Sequence, residues 1–138
     1  MLDDEIRLDL GGIAKGYAVD LAVQALVNHG CASGWVNAGG DLRIFGGAEL
    51  PVWLRDEVNG GAREFARLTE GAFATSHLGI SSGCRAVLPC GETRPVHAHV
   101  SVAAPLCVWA DALTKVVAIS GNSAEPLLVR WGAQAWLH

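Results

Sequence analysis

With 138 residues, 51% of them apolar, the chain is sized for one domain that removes roughly two-thirds of its unfolded surface from water. Only 17% of the residues are charged, the formal net charge is −4 and no run of basic residues occurs, a balance that excludes a nucleic-acid surface built on phosphate contacts. The longest apolar stretches, around 103–110 and 116–119, fall far short of the ~20 residues of a membrane span, and the acidic start Met1-Leu-Asp-Asp-Glu-Ile-Arg lacks the basic-then-apolar order of a secretory signal. No membrane span is expected, and the compartment is left open.

In chain order, residues 3–10 end in Arg-Leu-Asp-Leu, a short strand feeding the turn Gly11-Gly12. A helix over 13–29 follows. Ala14, Tyr17, Ala18, Leu21, Ala22, Ala25 and Leu26 recur at steps of three and four, the spacing of a core-facing stripe, and Gly30 closes the helix. Strands are expected at 34–37 and 42–45, on either side of Ala38-Gly-Gly-Asp41, and then at 51–55, 62–68 and 71–76, the last ending in the hydroxyls of Thr75 and Ser76. Residues 79–95, rich in Gly, Ser, Cys and Pro, read as a loop with one short strand at 85–88. Alternation resumes over 96–103, a helix over 109–121 ends on a glycine, Ser123 caps a third helix over 124–131, and 133–137 forms a final strand. Strands clustered between helices give an α+β class, an antiparallel β meander packed with about three helices in a single domain over 1–138.

Four cysteines, Cys31, Cys84, Cys90 and Cys107, have no C-x-x-C spacing and read as structural thiols. His97 and His99 share one face of a strand, which suits either a metal or a half-exposed sheet. The tryptophans Trp35, Trp53, Trp109, Trp131 and Trp136 each fall within an apolar element and are expected in the core. The stretch Asp9-Leu-Gly-Gly-Ile-Ala-Lys-Gly-Tyr-Ala-Val-Asp20, followed by Asn37-Ala-Gly-Gly-Asp41, carries the chemistry. Gly11 and Gly12 let backbone approach a ligand, and the free N–H groups at the start of the first helix would point at an anion. Plain packing of a Gly-Gly turn explains the same spacing.

Those two motifs, Ala74-Thr-Ser76 and Ala110-Asp-Ala-Leu-Thr-Lys115, in this order, resemble the FAD:protein FMN transferase family, known as ApbE. The strand around Trp53 and the closing Gly132-Ala-Gln-Ala-Trp look like it too, and the resemblance runs over nearly the whole chain. It matches the C-terminal part of a typical member and has no counterpart of the family's N-terminal segment, which carries much of the flavin pocket. The resemblance implies an ApbE-like (T-fold-like) domain and a Mg2+-dependent reaction. FAD is split, its FMN moiety passes as a phosphoester to a threonine of an acceptor flavoprotein, and AMP is released. A pyrophosphate undergoing such transfer needs its charge neutralised, ordinarily by a hard cation on oxygen ligands.

By the same resemblance the metal is held by the main-chain carbonyl of Ala14, by Asp111 and by a threonine four residues later. In this chain that later position is Lys115, and the threonine is Thr114, a neighbour on nearly the same helix face. Lys115 is also able to set an ammonium where the cation would sit. Asp111 by itself reads equally as a helix-start carboxylate favoured by the dipole. Lys15, Asp41, Thr75 and Ser76 are the residues expected around FAD. Taken singly, Lys15 also covers a helix start, Asp41 fixes a turn, and the two hydroxyls end a strand.

A second departure is the loop Cys84-Arg-Ala-Val-Leu-Pro89, where the resemblance leads one to expect a His and an Asp. His77, His97 and His99 are the remaining candidates for an orienting or basic group. The alternative reading is a non-catalytic or incomplete ApbE-like scaffold that binds flavin nucleotide weakly or needs a partner chain, a homo-oligomer being one form of it.

Overall fold

A computed structural model describes residues 10–56, 59–77 and 99–138. The expected strands within 3–10 and 85–88, the loop over 79–95 and His97 lie outside the described residues. The elements are α1 (Ala14–Asn28), β1 (Gly34–Ala38), β2 (Asp41–Phe45), β3 (Leu50–Arg55), β4 (Ala62–Leu68), β5 (Gly71–His77), β6 (His99–Ala104), α2 (Cys107–Ser120), α3 (Pro126–Arg130) and β7 (Gln134–Leu137). The protein is α+β, as expected.

Among the described residues, five strands form one antiparallel sheet in the order β1-β2-β5-β6-β7, while β3 and β4 pair only with each other. The meander is therefore interrupted: β3 and β4 leave the sheet as a hairpin, and β5 returns to pair beside β2. Because side chains alternate along a strand, each central strand feeds two cores. On one face Val100, Val102 and Ala135 meet Leu113 and Val117 of α2 and Leu128 of α3, while Ala72 and Ala74 meet Val19 of α1 and Ala110 of α2. On the other face Leu42 and Phe73 pack under Val52 and Leu54 of the hairpin, with Phe65 and Trp136 against them. The result is three layers: helices, sheet and hairpin.

The ends of the elements follow local chemistry. Gly30 follows α1 at φ 88°, with Gly30 N–H donating to Val27 O and Cys31 N–H to Leu26 O, and Gly121 ends α2 at φ 64°. Helix α3 starts later than the expected 124, because Pro126 takes its first turn and a residue before proline is held out of the α region. Ser123 is not its cap. Asn122 instead accepts the Ala124 N–H at 2.9 Å and turns the chain into Glu125 and Pro126. Helix α2 begins two residues before the expected Trp109.

Two expectations about burial are corrected. In α1 the buried residues are Gly16, Val19 and Val23, so the apolar stripe read from the sequence faces outward, with Tyr17, Leu21 and Leu26 exposed. The inner face holds a glycine and the half-buried Asp20, and so scores as less apolar than the outer one. Trp35 and Trp53 are exposed rather than in the core, at 53% and 56%, while Trp109 and Trp131 stack at 3.7 Å beside the α2 core and Trp136 packs under the hairpin.

Candidate functional site

The helices α1 and α2 cross at Gly16. A Cβ there would lie 2.8 Å from the Asp111 Cβ and closer still to the Cys107 carbonyl oxygen, so only glycine lets the two backbones approach this far. That approach lets each helix finish the other's first turn. Asp111 of α2 accepts the Gly16 N–H of α1 at 3.0 Å through Oδ2, and Asp20 of α1 accepts the N–H groups of Cys107 and Val108 at 3.0 and 2.9 Å. Neither helix has a side-chain cap of its own at that end, so these carboxylates satisfy donors that would otherwise lack partners. Arg43 of β2 holds Asp20 at 2.7 Å.

This arrangement alters the anion reading of the α1 start. The Ala14 N–H donates to Leu10 O and the Gly16 N–H to Asp111, so the protein's own groups already take them. Gly12 has room for a Cβ in ordinary contact with the Lys115 stem, 3.6 to 3.7 Å away. Between Gly12 and Gly16, the glycine with a strict steric demand is Gly16.

Around the crossing sits a cluster of four charges. Asp41 and Asp111 are fully buried, while the Lys15 side chain is half exposed and that of Lys115 is a quarter exposed, so the ammonium groups stand between the carboxylates and solvent. Lys15 donates to Asp41 Oδ2 and lies 3.9 Å from Asp111 Oδ1. Lys115 donates to that same Oδ1 and, at 3.0 Å, to the Asp111 carbonyl oxygen. The Thr114 hydroxyl donates to the same carbonyl at 2.7 Å, and, its proton being used there, accepts from Ser76 at 2.7 Å.

The electrostatics follow from burial and pairing. Burial raises the Asp41 pKa above the usual carboxylate value, with the Lys15 hydrogen bond opposing it and the Asp111 charge adding to it. For Lys15, burial works against the charge, but the Asp41 hydrogen bond and the charges of Asp41 and Asp111 outweigh it and raise the pKa. Cys107, buried beneath the cluster, is pushed up to about 12, first by burial and then by Asp41, Asp20 and Asp111, which makes it a structural thiol.

Six of the residues singled out from sequence therefore meet here: Lys15, Asp41, Ser76, Asp111, Thr114 and Lys115. Ala14 opens α1 next to Lys15. Thr75 goes elsewhere. As the strand neighbour of Ser76 it faces the hairpin, where it bonds Ser101 at 2.9 Å, and Ser101 bonds His138 at 3.0 Å. It lines an open cavity of about 330 Å³ with Asn37, Gly40, Trp53, Phe73 and His99. The β1–β2 turn joins the two places, since Asn37 and Gly40 line the cavity while Asp41 enters the charge cluster. Gly16 and Asp20 lay within the motif singled out from sequence without a role assigned to them. Their signal was a small and an acidic residue among apolar ones on one helix face.

The sequence profile of the ApbE family matches residues 1–136. Among solved structures, the chain is similar to an ApbE protein from Thermotoga maritima, at 27% identity and a TM-score of 0.74, covering 99% of this chain and 50% of that one. It is similar to the flavinyl transferase ApbE of Pseudomonas stutzeri in its apo form, at 27% identity and 0.61, covering 80% and 37%. A point mutant of the flavin transferase ApbE of Vibrio cholerae shares the fold at 22% identity and 0.64, covering 96% and 44%. The chain thus spans half or less of the length of these structures. No curated protein matches it in sequence.

Proposed function

The chain belongs to the ApbE family, and from that premise we propose that it acts in flavin transfer, taking FAD and passing its FMN moiety to a threonine hydroxyl of an acceptor flavoprotein. The hydroxyl oxygen bonds to the FMN phosphorus, the P–O bond to the AMP moiety breaks, AMP leaves, and the hydroxyl proton is lost. Little of that chemistry needs a covalent contribution from the protein. Positioning and charge neutralisation carry most of it.

The observation that carries this reading is the charge cluster, with two fully buried carboxylates fixing two lysines at the surface beside the α1–α2 crossing. An ammonium has three donors, so Lys15 and Lys115 each keep a donor for a phosphate oxygen while remaining tethered to an aspartate. The cavity on the hairpin side supports the reading further, being largely apolar and bordered by an exposed tryptophan. An elongated dinucleotide is a ligand whose phosphates and ring would use both places, with the β1–β2 turn between them. Ser76 stands on the phosphate side and Thr75 on the ring side.

The resemblance also implies a magnesium ion on the Ala14 carbonyl, Asp111 and Thr114. Such an ion would neutralise the pyrophosphate and polarise the transferring phosphoryl group. Asp111 and Thr114 are oxygen donors of the right kind and lie together. Yet both carboxylate oxygens of Asp111 already accept protein donors, with Lys115 on one of them, and no group of three or more His, Cys, Asp or Glu able to hold a metal occurs among the described residues. As they stand, these residues do not fit the ion, and no step is routed through it.

The same Lys115 contact favours a second reading, a scaffold that binds flavin nucleotide without transferring it. One titration series separates the two. FAD should quench tryptophan fluorescence on binding, Lys15→Ala should weaken binding at least about tenfold with circular dichroism confirming that the variant still folds, and AMP should appear when an acceptor threonine is supplied. Binding without AMP selects the scaffold. No binding at high micromolar FAD sinks both.

A further inference from the structure

We propose that Lys115 occupies the cation position at Asp111, so that this chain meets a dinucleotide pyrophosphate with two ammonium groups, those of Lys15 and Lys115, in place of a divalent ion. The identity of the ligand rests on the flavin reading above; the exclusion of the cation does not.

Three observations carry it. The first is occupancy. Asp111 Oδ2 takes the Gly16 N–H, Oδ1 takes Lys115, and the Asp111 carbonyl takes both Thr114 and Lys115. A lone pair remains on each carboxylate oxygen, so a metal would have to sit directly beside the Lys115 ammonium on Oδ1 or crowd the Gly16 N–H on Oδ2, and the Gly16 bond helps hold α1 against α2. The second is charge. Oδ1 of this one carboxylate already faces two ammonium groups, Lys115 in contact and Lys15 at 3.9 Å. A divalent ion placed there would be repelled by both across a few ångströms of partly buried space. The third is anchorage. Lys115 lies one helical turn after Asp111, the spacing at which such pairs meet, and its stem runs along Gly12, 3.6 to 3.7 Å from the position of an added Cβ. The Lys115 side chain is only 27% exposed, so its ammonium is held in place rather than waving in solvent.

A fixed ammonium differs from an exchangeable ion in a way that can be measured. Chelator-treated protein is titrated with Mn2+, whose free-ion EPR signal is lost on binding, for the wild type, Lys115→Ala, Lys115→Met and Lys115→Ala/Asp111→Asn. Lys115→Met keeps the stem on Gly12 and removes the charge, and thermal melts confirm that each variant folds. Wild type should leave the signal unchanged where Lys115→Ala quenches it, with affinities at least 10–100-fold apart, the range that groups around a metal site typically command. Lys115→Met should fall on the Lys115→Ala side, and the double variant should bind nothing. One Mn2+ bound by wild type and lost in Asp111→Asn would overturn the proposal, as would Lys115 variants that gain no site. In parallel, FAD affinity should be the same in EDTA and in Mg2+, and a requirement for Mg2+ would overturn the two-lysine assignment. If FAD binds under neither condition, the flavin reading fails, and the Mn2+ series still decides whether Lys115 excludes the ion.

Discussion

The two faces of the sheet are built on different physics. On the helix face, buried carboxylates close the contact between α1 and α2, with Asp111 and Asp20 each capping the opposite helix and Arg43 and Lys15 holding Asp20 and Asp41. On the hairpin face the contacts are mainly apolar and aromatic, with Phe65 edge-on to Trp136 at 5.3 Å, the neutral Thr75–Ser101–His138 hydrogen bonds among them and an open cavity left beside Thr75. Charged hydrogen bonds are directional, and a buried one that loses its partner is costly, so the helix face has one geometry. Apolar packing tolerates rearrangement, so the hairpin face has room to accommodate a ring. The rigid side holds charges in place and the adaptable side offers the space.

Gly16→Val breaks the helix face most severely. Its side chain meets the Cys107 carbonyl and Asp111 across the crossing, neither of which is a flexible end that could give way. A loss of more than about 3 kcal/mol is expected, a large share of the roughly 5–15 kcal/mol that holds a domain folded. Chemical denaturation should show a large drop in midpoint, and a midpoint within error of wild type would mean that the crossing is not as close as described. Asp20→Ala is next. It leaves the N–H groups of Cys107 and Val108 and the Arg43 guanidinium without their partner, for a loss of about 2–3 kcal/mol, whereas Asp20→Asn, which keeps one acceptor, should lose less. Equal losses in the two variants would argue that capping is not what Asp20 does.

The smallest expected effect tests the hairpin face. Burial, then the charges of His99 and Arg63, hold the His138 pKa below its usual 6.5. The folded state therefore takes up its proton later than the unfolded state, and stability is lost as pH falls below 6.5. Because His138 is largely exposed, the drop in Tm between pH 7.5 and 5.5 should be only about 1–2 °C, and His138→Gln should flatten that part of the profile. A profile that keeps its slope in His138→Gln would place the titrating group elsewhere.

The positions of the described strands were largely legible from alternation, and the helix ends at Gly30 and Gly121 from composition, but the departure of β3 and β4 from the sheet was not. What stayed hidden was hidden for physical reasons. The buried face of α1 is lined by Gly16, Val19, Asp20 and Val23, where the glycine serves by its absence of side chain and the aspartate by its hydrogen bonds. Hydropathy ranks both as unsuited to a core, so the apolar Tyr17 and Leu21 drew the stripe to the wrong side. The early start of α2 had no local signal, since its cap comes from α1, 87 residues away in the chain. The grouping of Lys15, Asp41 and Asp111 came from family resemblance rather than spacing. The separation of Thr75 from Ser76 was open to inspection, because strand neighbours face opposite ways.

The exchange of caps between α1 and α2 also bears on how the chain assembles. The Gly16–Asp111 bond closes over 95 residues and the Asp20–Cys107 bond over 87, with six of the seven described strands lying between. Closing such loops costs conformational entropy before any bond is made. The first turns of both helices are thus finished by contacts that exist only once the sheet has brought distant segments together. Either helix taken from the chain would fray at its start, and the amide protons of Gly16, Cys107 and Val108 would exchange with solvent in a single event, the parting of the two helices.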